Sequence, residues 1–196
     1  MILLVRHGET EFNRERRLQG HVDSPLTDLG VKQAQAVARL LAGFVEREPA
    51  AGWVLVSSPL GRAQRTAEII AGRLGLGVSL DERLMEMSWG ERDGRLRSEL
   101  DQLFPDTFGR SGWGFDAPGG ESLEAVSARL RDWMDSLAPE PDRRVIAVSH
   151  GVSGRVLRGL YAGLPSERMG DQDVPQDAVY ELRGGRLTRH ACGEVA

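Results

Sequence analysis

Met1-Ile2-Leu3-Leu4-Val5-Arg6-His7-Gly8 carries the pattern from which the architecture follows. Ile2–Val5 is apolar without alternation, the pattern of a strand covered on both faces. It stops abruptly on a cation, an imidazole and a glycine. Two later runs behave the same way: Trp53–Val56 ends at Ser57-Ser58-Pro59, and Val145–Val148 ends at Ser149-His150-Gly151. Helical patterns separate them. Val31, Ala34, Val37, Ala38, Leu41 and Phe44 fall on one face of a helix predicted over Thr27–Phe44. Ser58 followed by Pro59 reads as an N-cap and first turn, so a second helix is predicted from Pro59 to Leu74, stopped by Gly75. Val78–Leu80 reads as a short strand. Leu123, Val126, Leu130, Trp133 and Leu137 mark a helix over Glu121–Leu137, and another follows Gly151 as far as Tyr161. Ala178–Leu182 and Arg186–Arg189 flank Gly184-Gly185 as a hairpin.

Strands that alternate with helices predict an α/β fold, a three-layer α/β/α sandwich around a mostly parallel central sheet. Right-handed crossovers then bring the C-terminal ends of the strands to one edge, where such sheets bind their ligands. Arg6-His7, Ser57-Ser58 and Ser149-His150 are delivered there. Residues 88–120 have the weakest periodicity and many glycines, with Phe104, Trp113 and Phe115 among them; they are expected to form an insertion or lid with a helical turn near Ser98–Phe104. No repeat or linker divides the chain, so 1–196 is expected to be one domain.

Composition narrows the function. The 196 residues are 40% hydrophobic and 28% charged, ordinary for a globular chain with enough length to bury a core. A net charge of −4 argues against a general nucleic-acid binder. No apolar run is long enough for a membrane span, and the apolar part of the N-terminus is too short for a secretory signal. Cys192 is the single cysteine, which excludes an internal disulfide and makes a cytoplasmic setting the expectation. Lys32 is the only lysine, so arginine abundance by itself says nothing about phosphate; position has to decide.

Two histidines at matching strand ends, one beside an arginine and each before a glycine, point to chemistry rather than packing, because glycine lets a ligand approach the backbone. Residue types alone leave the partners open. Glu82, Glu86, Glu91 and Asp93 all compete as the carboxylate. Arg62 and Arg65 both compete as the helix cation. Ser57 and Ser58 lack the Gly-x-Ser-x-Gly setting of a serine nucleophile, so capping and hydrogen bonding suit them better. Trp89 is expected to be a pocket wall, His21 and His190 surface residues, and Cys192 chemically idle. No His-Glu-x-x-His or comparable metal-ligand cluster occurs.

Leu4-Val5-Arg6-His7-Gly8-Glu9-Thr10 with Asn13 resembles the signature of the histidine phosphatase superfamily, the phosphoglycerate mutases and related phosphomonoesterases. Ser57-Ser58-Pro59-Leu60-Gly61-Arg62-Ala63, Leu84-Met85-Glu86, Pro118-Gly119-Gly120-Glu121-Ser122 and Val148-Ser149-His150-Gly151 continue the resemblance in order along nearly the whole chain. The resemblance implies a phosphoglycerate mutase-like fold and the following roles. His7 is the nucleophile that becomes a phosphohistidine. Arg6, Arg62 and His150 bind the transferring phosphoryl group. Glu86 protonates the leaving oxygen and then activates water. Asn13 contacts phosphate, Gln19 and Gly20 line the pocket, and Gly151 follows the second histidine at the phosphate. No metal and no cofactor are implied. The expected partner is a small phosphorylated metabolite, with phosphorylated sugars, phosphoglycerate derivatives and α-ribazole phosphate as candidates; a homodimer is left open.

The expected activity is phosphomonoester hydrolysis. A phosphoglycerate mutase and a non-catalytic phosphate-ligand binder are the alternatives. Mutases of the family resemble one another in an asparagine two residues after the second histidine, and Val152 stands there. The arginines of the 88–120 segment, Arg92, Arg95, Arg97 and Arg110, suggest a second anionic group on the substrate.

Overall fold

The computed structural model describes residues 1–48, 52–103 and 117–193. Six strands form one sheet: β1 (Ile2–Arg6), β2 (Val54–Ser57), β3 (Val78–Leu80), β4 (Val145–Ser149), β5 (Ala178–Arg183) and β6 (Arg186–Ala191), in the order β3-β2-β4-β1-β5-β6. β1, β2, β3 and β4 run parallel to their neighbours among themselves, whereas β5 is antiparallel to β1 and β6 to β5. The predicted hairpin is therefore the antiparallel edge of an otherwise parallel sheet.

The helices are α1 (Glu11–Arg14), α2 (Asp28–Arg47), α3 (Gly61–Leu74), α4 (Arg97–Leu103), α5 (Leu123–Asp135), α6 (Gly151–Ala162) and α7 (Ser166–Met169). The pleat of β1 shows how they divide. Ile2 and Leu4 join a core with Leu130 and Trp133 of α5 and Val156 and Leu157 of α6. Leu3 and Val5 join the opposite core, with Val37 and Leu41 of α2 and Ala67 and Ile70 of α3. β4 splits likewise, Val145 and Ala147 to the first core, Ile146 and Val148 to the second. A strand that feeds two cores has to be apolar at every position, which is why both runs lack alternation. The result is the three-layer α/β/α sandwich.

β1 and β4 are register partners from Ile2 with Val145 to Arg6 with Ser149. The helix that follows β1 towards β2 lies in one layer, and the helix that follows β4 lies in the other. Their C-terminal ends therefore flank the crevice where the connections diverge, the place where open α/β sheets bind ligands.

Local caps differ from expectation at one informative place. Helix α3 starts at Gly61 with Leu60 as an N-cap that has no side-chain hydrogen bond. Ser58 lies outside the helix; its Oγ accepts from Leu60 N and meets His150 Nε2. A side chain at the strand end has more to gain from a buried imidazole than from a solvent-facing helix terminus. Thr27 and Ser122 do cap α2 and α5, accepting from the backbone N–H of Gly30 and Ala125.

The 88–120 segment contains a 3₁₀ turn over Gly90–Arg92 and helix α4. Trp89 is buried and part of the core beside α5 and α6. Phe104, Gly109, Arg110, Gly112, Trp113, Gly114 and Phe115 lie outside the described residues.

Candidate active site

His7 sits immediately after β1 and is held there by its backbone N–H, which donates to the Ser149 carbonyl of β4 at 3.1 Å. Its Nδ1 lies 2.8 Å from the Gly8 carbonyl oxygen. A carbonyl only accepts, so Nδ1 carries the ring proton and Nε2 keeps its lone pair. Burial lowers the His7 pKa well below the ordinary histidine value, and the nearby Arg62 and Arg6 guanidinium groups lower it further. A neutral imidazole with an available Nε2 can attack an electrophile at neutral pH.

His150 caps the end of β4, its ring centre 5.2 Å from that of His7. Its pKa is also lowered well below the usual value, by burial first and then by Arg62, His7 and Arg6. Nε2 is 2.8 Å from Ser58 Oγ, and that oxygen already accepts from Leu60 N. The Ser58 hydroxyl proton can thus go to His150 Nε2, which leaves the ring proton on Nδ1. Nδ1 is buried with no hydrogen-bond partner. An orphaned buried donor is costly unless a ligand satisfies it.

Arg6 donates from Nη1 to the Val174 carbonyl at 2.5 Å, and its buried Nε has no partner. Burial pushes its pKa down to about 10, still cationic at neutral pH. Arg62 is buried and otherwise employed: Nη1 donates to the Val22 carbonyl and Asp23 Oδ1, and Nη2 to the carbonyls of Gln19 and Gly20, all within 3.1 Å. Only its buried Nε is unpartnered. Arg62 thus clamps residues 19–23 and offers the site its charge and one donor. Arg65, the competing helix cation, is exposed and pairs with Glu68.

Glu86 is buried, and both carboxylate oxygens are held by backbone. Oε1 accepts from Met87 N and Ser153 N, and Oε2 from Val152 N, at 2.9–3.0 Å. Two of these donors belong to the first turn of α6, where the helix dipole favours an anion. Gly151 lies between these groups: a Cβ added there would make ordinary van der Waals contact with Glu86 Oε2 at 3.6 Å and Arg6 Nε at 3.7 Å. Glu82, Glu91 and Asp93 are not among the residues that line the cleft around His7, whereas Glu86 is.

That cleft has a volume of about 190 Å³ and is lined by Arg6, His7, Asn13, Gln19, Glu86 and Gly151, among others. Asn13 Oδ1 accepts from Gln176 Nε2 and from Thr10 N, and Gln19 Oε1 accepts from Thr10 Oγ1. Gly20 N donates to Asp93, behind the cleft. Trp89 is a wall, as expected. Among the described residues, no group of three or more His, Cys, Asp or Glu side chains is placed to hold a metal ion. No described helix is long and apolar enough to cross a membrane.

Several contributors escape sequence reasoning. His21 is 40% exposed, yet its Nε2 lies 2.9 Å from the Glu86 carbonyl oxygen and steadies that loop. Gln176 donates to the His7 carbonyl and to Asn13 from far along the chain. Arg155 and Val174 also line the cleft. Only for Arg155 was a signal present, its position one helical turn after Gly151. Cys192, half-buried, has its thiol pKa pushed up to about 11 by burial, consistent with an idle thiol.

The histidine phosphatase superfamily (branch 1) pattern matches the chain over residues 2–190. The chain belongs to the histidine phosphatase superfamily. A Cronobacter sakazakii protein named a probable phosphoglycerate mutase is 40% identical over 176 residues, 84% of this chain and 76% of its own length. A mycobacterial glucosyl-3-phosphoglycerate phosphatase superposes with TM-score 0.76 at 33% identity, over 91% of this chain and 87% of its own. An Escherichia coli putative α-ribazole-5′-P phosphatase superposes with TM-score 0.78 at 27% identity, over 100% and 96%. The chain is a histidine-phosphatase-type hydrolase on a phosphoglycerate mutase-like fold.

Proposed function

We propose that this histidine phosphatase, acting as one domain over residues 1–196 with 88–120 as the segment beside its cleft, hydrolyses a small phosphomonoester through a phosphohistidine on His7. The observation that carries the reading is the His7 tautomer. With Nδ1–H spent on the Gly8 carbonyl, the lone pair of Nε2 is the one that can reach phosphorus.

Nε2 attacks the phosphorus and the ester P–O bond breaks. A phosphoryl group in transfer spreads negative charge over three oxygens, so catalysis is chiefly positioning and charge stabilisation. Arg6, the unpartnered Nε of Arg62 and the unpartnered Nδ1–H of His150 supply that stabilisation, so the scheme needs no metal. Glu86, in its acid form, gives its proton to the departing alkoxide. Oε1 already accepts from two N–H groups and Oε2 from one, so Oε2 is the oxygen assigned to this transfer. Water then attacks the phosphohistidine, the Glu86 carboxylate takes its proton, and inorganic phosphate leaves with His7 regenerated. Asn13, Gln19 and Gly151 shape the phosphate end of the cleft in this reading, whereas Gly20, bonded to Asp93, is not among the lining residues.

The name of the Cronobacter relative favours a second reading, phosphoglycerate mutase. Such an enzyme has to retain the phosphohistidine and exclude water while the product reorients. The side chain of Val152 in the cleft can hydrogen-bond neither carboxylate nor phosphate, which favours water as acceptor. The deciding experiment incubates the protein with 3-phosphoglycerate, with and without 2,3-bisphosphoglycerate, and follows 2-phosphoglycerate and free phosphate together. Phosphate release from phosphomonoesters with negligible isomerisation is expected. Isomerisation faster than phosphate release overturns hydrolysis in favour of transfer.

A further inference from the structure

Among the described residues, Arg6, Arg17, Arg97 and Arg155 line the cleft, and they are not equivalent. Arg17 pairs with Glu15 at 2.6 Å, and Arg97 with Asp101 at 2.9 Å. Arg6 and Arg155 make no ion pair among the described residues; their only hydrogen bonds there go to main-chain carbonyls. Among the described residues, Glu86 is the carboxylate that lines the same cleft, and its oxygens are occupied by three backbone N–H groups. Arg155 is thus, among the described residues, the lining arginine besides Arg6 that faces the cleft without a carboxylate partner.

Arg155 is also pre-aimed. It lies four residues after Gly151 on α6, hence on the same helix face. Its Nε donates to the Gln172 carbonyl at 2.7 Å, and Gln172 Nε2 returns a bond to the Arg155 carbonyl at 2.8 Å. The Nε bond orients the guanidinium, and neither Nη group has a partner among the described residues. Burial and the neighbouring Arg158 lower its pKa, so the positive charge is held at a cost that an anion would relieve. Two parallel N–H groups on a fixed plane match the two oxygens of a carboxylate or a phosphate.

We propose that Arg155 is a specificity-determining residue that binds a second anionic group, a carboxylate or second phosphate, carried by the phosphomonoester substrate. The inference deepens the phosphomonoesterase reading and rests on it for the word substrate. It shifts recognition of the second charge from the 88–120 arginines to the helix that also carries Gly151 and grips Glu86.

The test uses matched ligands and two independent readouts. Binding is measured by calorimetry with 3-phosphonopropionate, which carries a carboxylate, against propylphosphonate, which does not. Turnover is measured with 3-phosphoglycerate against glycerol 3-phosphate, and with fructose 1,6-bisphosphate against fructose 6-phosphate, so that carboxylate and second phosphate are told apart. The wild type is expected to prefer the doubly anionic member of at least one pair about 10- to 100-fold, on the scale of one charge-assisted bidentate contact. Arg155→Gln should remove that preference through KM, with a loss on the doubly anionic member at least about tenfold larger than on its singly anionic partner; Arg155→Lys should restore part of it. Equal losses on both members of every pair, or no preference in the wild type, overturn the proposal. If the wild type hydrolyses no phosphomonoester at all, the phosphatase reading fails, while the phosphonate comparison still decides the role of Arg155.

Discussion

At the scale of single residues, the site works by leaving a few polar atoms unpartnered. Three such buried atoms, Arg6 Nε, Arg62 Nε and His150 Nδ1, belong to groups around His7. His7→Ala removes the attacking nitrogen, so phosphatase activity should disappear while circular dichroism and melting remain native-like. Wild-type-like turnover in that variant would sink the covalent route. Glu86→Gln keeps the shape of the side chain but cannot give up a proton to a leaving group. An alkyl phosphate should slow by about 10²–10⁴-fold. A p-nitrophenyl ester, whose leaving group departs without much protonation, should slow far less; equal losses on the two would mean that Glu86 is not the leaving-group acid. His7, His150 and Arg62 were legible in the sequence because each belongs to a motif. The unshared donors that make them useful were not, since they depend on carbonyls and side chains brought in from residues 19–23, 58 and 174.

At the scale of elements, the loop after β1 is fastened to the start of α2 by close backbone contact. A methyl group at Gly8 would overlap the Gly30 carbonyl oxygen, and one at Gly30 would overlap the Glu9 carbonyl oxygen. Neither glycine has a positive φ; here what matters is space, not conformation. Gly30→Ala should cost about 1–3 kcal/mol of overpacking, read as a lower urea midpoint. It should also lower kcat/KM by at least about tenfold, because it displaces the segment that carries His7. Gly43 lies on the same helix with nothing within 4 Å of a built Cβ. Gly43→Ala should therefore leave activity alone and add about 0.5–1 kcal/mol through helix propensity. If Gly30→Ala matched Gly43→Ala in both readouts, the fastening would be immaterial to the site. The six strands and helices α2, α3, α5 and α6 were readable to within a few residues from apolar periodicity, whereas the four-residue helices α1 and α7 are too short to show one. The start of α3 was not, because Ser58 is claimed by His150.

At the scale of the whole molecule, pH couples the site to stability. His7 and His150 have folded-state pKa values well below the unfolded value near 6.5, so the unfolded chain binds more protons below that pH. Stability from these groups is intact above about pH 6.5 and declines as pH falls. By pH 5 each histidine can account for up to about 2 kcal/mol of loss. Denaturation at pH 7.5 and pH 5.0 should show a smaller drop in His7→Gln than in wild type; identical drops would mean that His7 takes up a proton in the folded state. The sequence by itself determined the layering and the site's address. Unbroken apolar runs of four or five residues between turn signals fit strands covered on both sides, and polar residues directly after such strands emerge at the sheet's carboxyl edge. It also singled out the two histidines, because an imidazole that ends such a run has little packing reason to be there. Tertiary structure alone decided which tautomer His7 holds, which oxygen of Glu86 is less used, and which cleft arginines lack a carboxylate. These depend on distances held to within a few tenths of an ångström between groups as far apart in sequence as Arg6 and Val174. No local pattern encodes such distances, because they are set by how two layers of helices close on one sheet.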